Sequence, residues 1–315
     1  MLMTYRRPAH DSQNVSMIAL DIDGTLVPRH DSLEVVPSRN SGIVLTDQIS
    51  PRVIAAVMAA VATGIHVVLA SGRSAPGIIQ TAQQLGLDGA WAACSNGAVV
   101  VHLHPDTPPG FVVHSMSTFD PEPILLAIRS SIPDAILAVE DPGHGFLVSR
   151  AFPEGELEGQ HKEVSFDRLC AQPVTRIVVR HLDMSSSDMS QAAQNAGLAT
   201  VNYEIGWTGW MDIMASGVDK ASGLEHIRQH LGVARTQTVV VGDGLNDTDM
   251  LAWASRAVAM GGAVPEVVAS ATEVTESAFN DGVALVIEDV LEKLGTSKNA
   301  MEDSVKANGV RAYRL

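Results

Sequence analysis

The chain has 315 residues, 46% of them hydrophobic, and a formal charge of -15 from 21 basic and 36 acidic residues. That length can bury a sizeable core and suggests about two domains, while the acidic balance argues against a nonspecific nucleic-acid binder, because a phosphate backbone would be repelled. Only Cys94 and Cys170 occur, too few for a disulfide framework, and no apolar run approaches membrane-spanning length; the reading is a cytoplasmic protein with no membrane attachment.

Residues 1–14 carry Arg6 and Arg7 but no apolar signal-like stretch, and read as a flexible N-terminus. Val15 to Leu20 is a short apolar strand ending in Asp21-Ile22-Asp23-Gly24-Thr25. Residues i and i+2 of a strand face the same way, so both carboxylates can enter one pocket at the strand's carboxyl end. Taken alone, the segment could also be a polar Asp-Gly turn. Pro28 to Gln48 is polar and mixed, a solvated insertion or a loop over the pocket. Ser50-Pro51 starts a helix whose apolar face comprises Val53, Ile54, Val57, Met58 and Val61, with Gly64 as its stop.

His66 to Ala70 then reads as a buried strand delivering Ser71, and Ala90 to Cys94 as another leading into Ser95-Asn96-Gly97. This βαβ pattern calls for a parallel sheet. From about residue 101 to 206 the texture changes to short strands, two helical stretches (Pro123 to Ser131 and Ser187 to Ala196) and frequent Pro and Gly, which suggests a separate α+β module. Beyond it, Lys220 to Leu231 is helical, Thr238 to Val241 is a strand delivering Asp243, and Asn246 to Ala254 is a helix. Arg256 to Met260 is a further strand, and Gly282 to Leu294 the last apolar helix. Residues 296–315 read as a flexible C-terminal tail. All the acidic signals lie at strand carboxyl ends, where open α/β sheets place their ligand crevices.

Four motifs occur in order: Asp21, Asp23, Gly24 and Thr25; Ser71; Lys220; and Gly242-Asp243-Gly244-x-Asn246-Asp247-x-x-Met250. The set resembles the haloacid dehalogenase (HAD) superfamily of aspartate-nucleophile phosphatases, and its Cof-like, type IIB capped branch in particular. The resemblance implies an α/β fold, a Rossmann-like doubly wound parallel sheet core with an inserted α+β cap domain. The core would take 15–100 and 207–295, and a C2-type cap 101–206.

It also implies chemistry. Asp21 would attack phosphorus and Asp23 would serve as general acid and base. Lys220 would neutralise charge, and Ser71, Gly72 and Asn246 would hold the phosphoryl oxygens. Mg²⁺ would be bound by Asp21, the Asp23 carbonyl and Asp243, with Asp247 helping directly or through water. The departure from the family is Lys220-Ala221 where relatives have Lys-Gly. Plainer readings exist for each residue: Ser71 as a helix cap, Lys220 as an exposed helix lysine, Asp243 and Asp247 as turn residues, Asn96 as a turn, and Arg73 as a surface ion-pair partner. The histidines, His102, His104 and His114 among them, lack tight metal-ligand spacing, and Trp207 and Trp210 read as packing anchors.

The expected partner is a small phosphorylated metabolite, a sugar phosphate or a phosphorylated cofactor, acted on by a monomer or homodimer. The alternatives are a phosphomutase on the same core and a noncatalytic phosphometabolite-binding protein. Substrate selection is expected in the cap, with Glu140, Asp141, His144 and Arg180 as candidates.

Overall fold

The computed structural model describes residues 14–28, 48–104, 106–198, 200–206 and 208–307. The expectations for the N-terminal segment, for nearly all of the 28–48 insertion, for Trp207 and for the last residues of the tail therefore lie outside the described residues. The strands are β1 Met17–Leu20, β2 His66–Ala70, β3 Trp91–Cys94, β4 Val99–Leu103, β5 Phe111–Met116, β6 Ile136–Asp141, β7 Gly145–Val148, β8 Gln160–Glu163, β9 Arg176–Ser185, β10 Val201–Ile205, β11 Thr208–Ala215, β12 Thr238–Gly242, β13 Arg256–Ala259 and β14 Glu273–Val274. The α-helices are α1 Pro51–Ala62, α2 Ile79–Leu85, α3 Glu122–Ser131, α4 Phe166–Leu169, α5 Ser186–Asn195, α6 Lys220–His230, α7 Thr248–Trp253, α8 Pro265–Ser270 and α9 Gly282–Ala307.

Two sheets organise the chain. The first has the order β14-β13-β12-β1-β2-β3-β4-β5. Pairing is parallel from β14 through β3, with β1 between β2 and β12, and antiparallel at β4 and β5. Alternation along each strand loads both faces. Ile18, Leu20, Val67 and Leu69 pack with α1, α2 and α9, while Met17, Ala19, Val68 and Ala70 pack with α6, α7 and α8. Helices on both faces of a mainly parallel sheet give the doubly wound architecture that the βαβ pattern predicts.

The second sheet has the order β10-β11-β9-β6-β7-β8. The helices α3 and α5 cover one face of it with Leu125, Ile128, Met189 and Ala193. The other face carries a smaller apolar set, Ile136, Ala138, Phe146, Val148 and Val178, with Trp210 against it. That less covered face looks toward the carboxyl end of the first sheet.

Several expectations shift. By strand pairing, β4 and β5 extend the first sheet and β11 belongs to the second. The changeovers thus fall later than the expected 100/101 and 206/207, because the β4–β5 hairpin continues the core sheet beyond its parallel part and the β10–β11 hairpin completes the second sheet, with β11 beside β9. In α1 the buried positions are Val53, Ala56, Val57 and Ala60, whereas Met58 and Val61 are 56% and 45% exposed. Small residues face the sheet there, so the buried stripe is rotated from the one drawn through the larger side chains. The last helix runs on to Ala307, past the expected end at Leu294 and into the segment expected as a flexible tail.

The face covered by α6, α7 and α8 has a clear anchor. Trp253 is fully buried and its Nε1 donates to Glu225 Oε2 at 2.9 Å, tying α7 to α6. Trp253→Ala is expected to lower the unfolding free energy by about 3–5 kcal/mol, measured by denaturant titration; a change under about 1 kcal/mol would show that α6 and α7 do not depend on this ring.

Candidate active site

Strand β1 delivers Asp21, which is 3% exposed. Strand β12 brings Asp243 beside it, and the turn after Gly242 brings Asp247. Lys220 arrives from a different direction, at the first position of α6. Asp219 caps that helix, its carboxylate accepting from Ser222 N while the Ser222 hydroxyl accepts from Asp219 N. The helix lies close against the sheet because position 223 is glycine: a Cβ there would come within 2.9 Å of Ala93 Cβ and Gly97 Cα. Ala221, the departure from the family pattern, is simply buried between the first sheet and α6, α7 and α8.

Lys220 is fully buried, not the exposed helix lysine of the plainer reading. Its Nζ donates to Asp21 Oδ1 at 2.6 Å and to Asp247 Oδ1 at 2.7 Å. The second Asp247 oxygen accepts from the backbone N–H groups of Asp243 and Gly244 at 2.9 and 2.8 Å. Both oxygens of Asp247 are thereby engaged in building the turn and holding the lysine. Burial, followed by repulsion from Asp247, raises the Asp21 pKa well above its ordinary value, with Lys220 opposing both. Burial works against the Lys220 charge, yet Asp21 and Asp247 outweigh it and hold its pKa above the usual value.

Asp21, Asp243 and Asp247 offer oxygens within 4.8 Å of one another, the one such group among the described residues. Three hard carboxylate donors around a single ammonium leave negative charge uncompensated, and this donor set fits a hard divalent cation such as Mg²⁺. Asp21 and Asp243 are the better ligands, since Asp247 is already engaged. The site also demands glycine at position 24, where φ is +91° and a Cβ would lie 2.2 Å from Asp243 Oδ2.

The Asp23 side chain does not join that cluster. It receives Arg73 Nε at 2.9 Å and Arg73 Nη2 at 2.5 Å, so the arginine that could have been a surface partner orients the proposed acid and base. Ser71 is buried, and its Oγ accepts from Arg73 N at 3.1 Å. Asn246 Nδ2 donates to Asn96 Oδ1 at 3.3 Å, and Asn96 Nδ2 to Glu204 Oε2 of the second sheet at 2.7 Å. Asn96, with φ +51°, is both a turn residue and a bridge between the sheets. A cavity of about 200 Å³ joins Asp21, Asp23, Gly72, Arg73 and Asn246 to Arg176, Trp210 and Asp212 of the second sheet.

The substrate-selecting residues expected from sequence are placed differently. Glu140 is buried as a tie between the sheets, accepting from Ser95 Oγ at 2.7 Å and Thr175 Oγ1 at 2.9 Å. Arg180 is held by Glu156, and His144 and Asp141 face each other at 3.7 Å on the β6–β7 turn. The cavity is instead lined from this side by Phe146, Glu156, Leu157, Glu158, Arg176, Trp210 and Asp212. Glu158 reaches back to accept from Ser74 N and Oγ at 3.0 and 3.1 Å. No short motif marks these positions; Arg176 on β9 and Trp210 and Asp212 on β11 share a face only through the pairing of those strands, and Trp210, expected as a packing anchor, lines the cavity as well.

A family model described as haloacid dehalogenase-like hydrolase matches residues 18–122 and 138–287. The chain belongs to the haloacid dehalogenase-like hydrolase family. A phosphoglycolate phosphatase of Natronomonas pharaonis is 28% identical over 271 residues, covering 85% of this chain and 94% of that one. Among solved structures, a subclass IIB sugar phosphatase of the superfamily superimposes with a TM-score of 0.68 at 22% identity, over 87% of this chain and 98% of the other. A structure from Bacteroides thetaiotaomicron, studied among the phosphatases of the superfamily, gives a TM-score of 0.70 at 22% identity, over 90% of this chain and 97% of its own. The chain thus shares the core and cap fold of the IIB branch, as its motifs imply. Among the described residues no helix is long and apolar enough to cross a membrane.

Glu204 supplies a stability test for the contact between the sheets. Burial, then repulsion from Asp212, raises its pKa to about 8. Below its ordinary value of about 4.3 both folded and unfolded states hold the proton; between there and about 8 only the folded state does, so stability falls as pH rises through that window. Glu204→Gln is expected to flatten the decline in unfolding free energy between about pH 5 and 8, measured by urea titration; an unchanged slope would mean that the carboxyl is solvated.

Proposed function

We propose that this hydrolase is a Mg²⁺-dependent phosphatase that removes the phosphoryl group from a small phosphorylated metabolite through an aspartyl-phosphate. The observation that carries the reading is the buried Asp21–Lys220–Asp247 chain opening into a cavity that also holds Asp23. Asp21 Oδ attacks phosphorus in line, forming the acyl phosphate as the ester P–O bond breaks. Asp23, in its acid form, gives its proton to the departing alcohol oxygen. Water then attacks phosphorus, Asp23 takes its proton, and the P–O bond to Asp21 breaks to release phosphate. Arg73 keeps Asp23 aimed into the cavity between these transfers.

Lys220 fixes which Asp21 oxygen is engaged and which faces the substrate, because its ammonium is bonded to Oδ1 alone. Asp21, Asp243 and the Asp23 carbonyl would hold Mg²⁺, which supplies the positive charge that lets an anionic nucleophile meet an anionic ester. Ser71, the Gly72 N–H and Asn246 would position the nonbridging oxygens. The named relatives, phosphatases of sugar phosphates and of phosphoglycolate, support a phosphomonoester as the substrate.

Two linked measurements test this. Phosphate release from p-nitrophenyl phosphate and from a panel of phosphorylated metabolites should require Mg²⁺ and should fall at least about a thousandfold in Asp21→Asn, as expected for loss of a covalent nucleophile. Mg²⁺ at a hundred times its dissociation constant should stabilise the wild type by about 2.7 kcal/mol and Asp243→Asn far less, read as a shift in melting temperature. Equal phosphate release by wild type and Asp21→Asn would refute the mechanism.

A further inference from the structure

The loop between β7 and β8 sends one side chain across from the second sheet to the first. The loop is fixed on its own sheet just before that point: Glu156 accepts from Arg180 Nε and Nη2 at 2.7 and 3.0 Å, and Leu157 is buried with Phe146 and Phe152. Glu158 follows directly, and the core has a seat for it. Its Oε2 accepts from Ser74 N and Ser74 Oγ at 3.0 and 3.1 Å. The 3₁₀ turn Pro76–Ile78 leaves room for this carboxylate because residue 77 is glycine; a Cβ there would lie 1.9 Å from Oε2.

The other Glu158 oxygen, Oε1, faces Arg73 Nε at 3.8 Å. That same nitrogen donates to Asp23 Oδ2, while Arg73 Nη2 donates to Asp23 Oδ1. A carboxylate of the second sheet thus sits against the guanidinium that aims the proposed acid and base, and all three residues line the catalytic cavity. Burial raises the Glu158 pKa, and Arg73 is the strongest influence pulling it down, so the two charges sense each other. A guanidinium ends a long flexible side chain, and the Asp23 side chain is 47% exposed; holding the pair in one place takes contacts beyond the pair itself. A reacting group displaced by about 1 Å can lose about a hundredfold in rate.

Resting on the phosphatase reading of the site, we propose that Glu158 is a positioning residue for the proton transfer: seated at Ser74 and Gly77, it holds Arg73 where Asp23 meets the departing alcohol oxygen. The acid is then complete only while the second sheet covers the first, because one of its supports comes from that sheet. Attack by Asp21 on phosphorus does not use this contact. Protonation of the leaving oxygen does.

The test compares two esters of similar size, p-nitrophenyl phosphate and benzyl phosphate. p-Nitrophenolate is a weak base that departs without a proton, whereas an alkoxide needs one, and kcat/KM covers the step in which the alcohol leaves. Two variants break the contact by independent routes: Glu158→Gln removes the charge facing Arg73, and Gly77→Ala fills the seat from the core side. Each should lower the benzyl-to-p-nitrophenyl ratio of kcat/KM by about tenfold or more, and neither should lower it further in an Asp23→Asn background. An unchanged ratio in either variant, whether from equal losses on both esters or from no loss, would make Glu158 structural only and overturn the proposal. An undiminished effect in the Asp23→Asn background, or a wild type that hydrolyses p-nitrophenyl phosphate alone, would overturn it too. Those results leave the phosphatase reading standing, whereas no Mg²⁺-dependent release from either ester would remove both.

Discussion

A single buried ammonium organises this molecule's chemistry. Lys220 lies with no solvent contact between Asp21 and Asp247, and two carboxylates are needed because desolvating a lysine costs several kcal/mol that one partner rarely recovers. Asp247 in turn is fixed by the two backbone N–H groups of its own turn. The end of β1, the start of α6 and the turn after β12 are thus locked by charge as well as by packing. Three segments distant in sequence share one electrostatic problem, and each is the solution for another.

The same logic extends outward. Lys220 offsets only part of the negative charge of Asp21, Asp243 and Asp247, which leaves a pocket suited to a cation of the hard, oxygen-seeking kind. At the cavity mouth each guanidinium is again matched by an oxygen from the opposite side of the junction: Arg73 by the Glu158 carboxylate and Arg176 by the Gly72 carbonyl. The second sheet is held over the first by polar ties, Ser95 to Glu140, Ser74 to Glu158 and Asn96 to Glu204. A junction built from hydrogen bonds and ion pairs can separate and re-form in water at modest cost, unlike the apolar cores on either side.

Much of the core could be read from local pattern. The positions of β1, β2, β3, β12 and β13 follow from short apolar runs, and the adjoining carboxylates follow from their places at strand ends, where the doubly wound topology gathers them. Lys220 was legible as a residue but not in its environment. Helical periodicity marks it as the first residue of an amphipathic helix and carries no information about which wall that end meets. The α1 stripe was misdrawn for a related reason: alanines at 56 and 60 face the sheet because the helix packs close, and size alone points to Met58 and Val61 instead.

The order and identity of Asp21, Asp23, Ser71, Lys220, Asp243 and Asp247 pointed to the family that the family model then matched, because short motifs carry both the functional groups and their places at strand ends. Tertiary structure alone decided what surrounds the leaving group. Glu158, Arg176, Glu204, Trp210 and Asp212 come from the loop before β8 and from β9, β10 and β11, and their convergence depends on strand register and on which face α3 and α5 leave open. Neither property is local, so no stretch of sequence contains it.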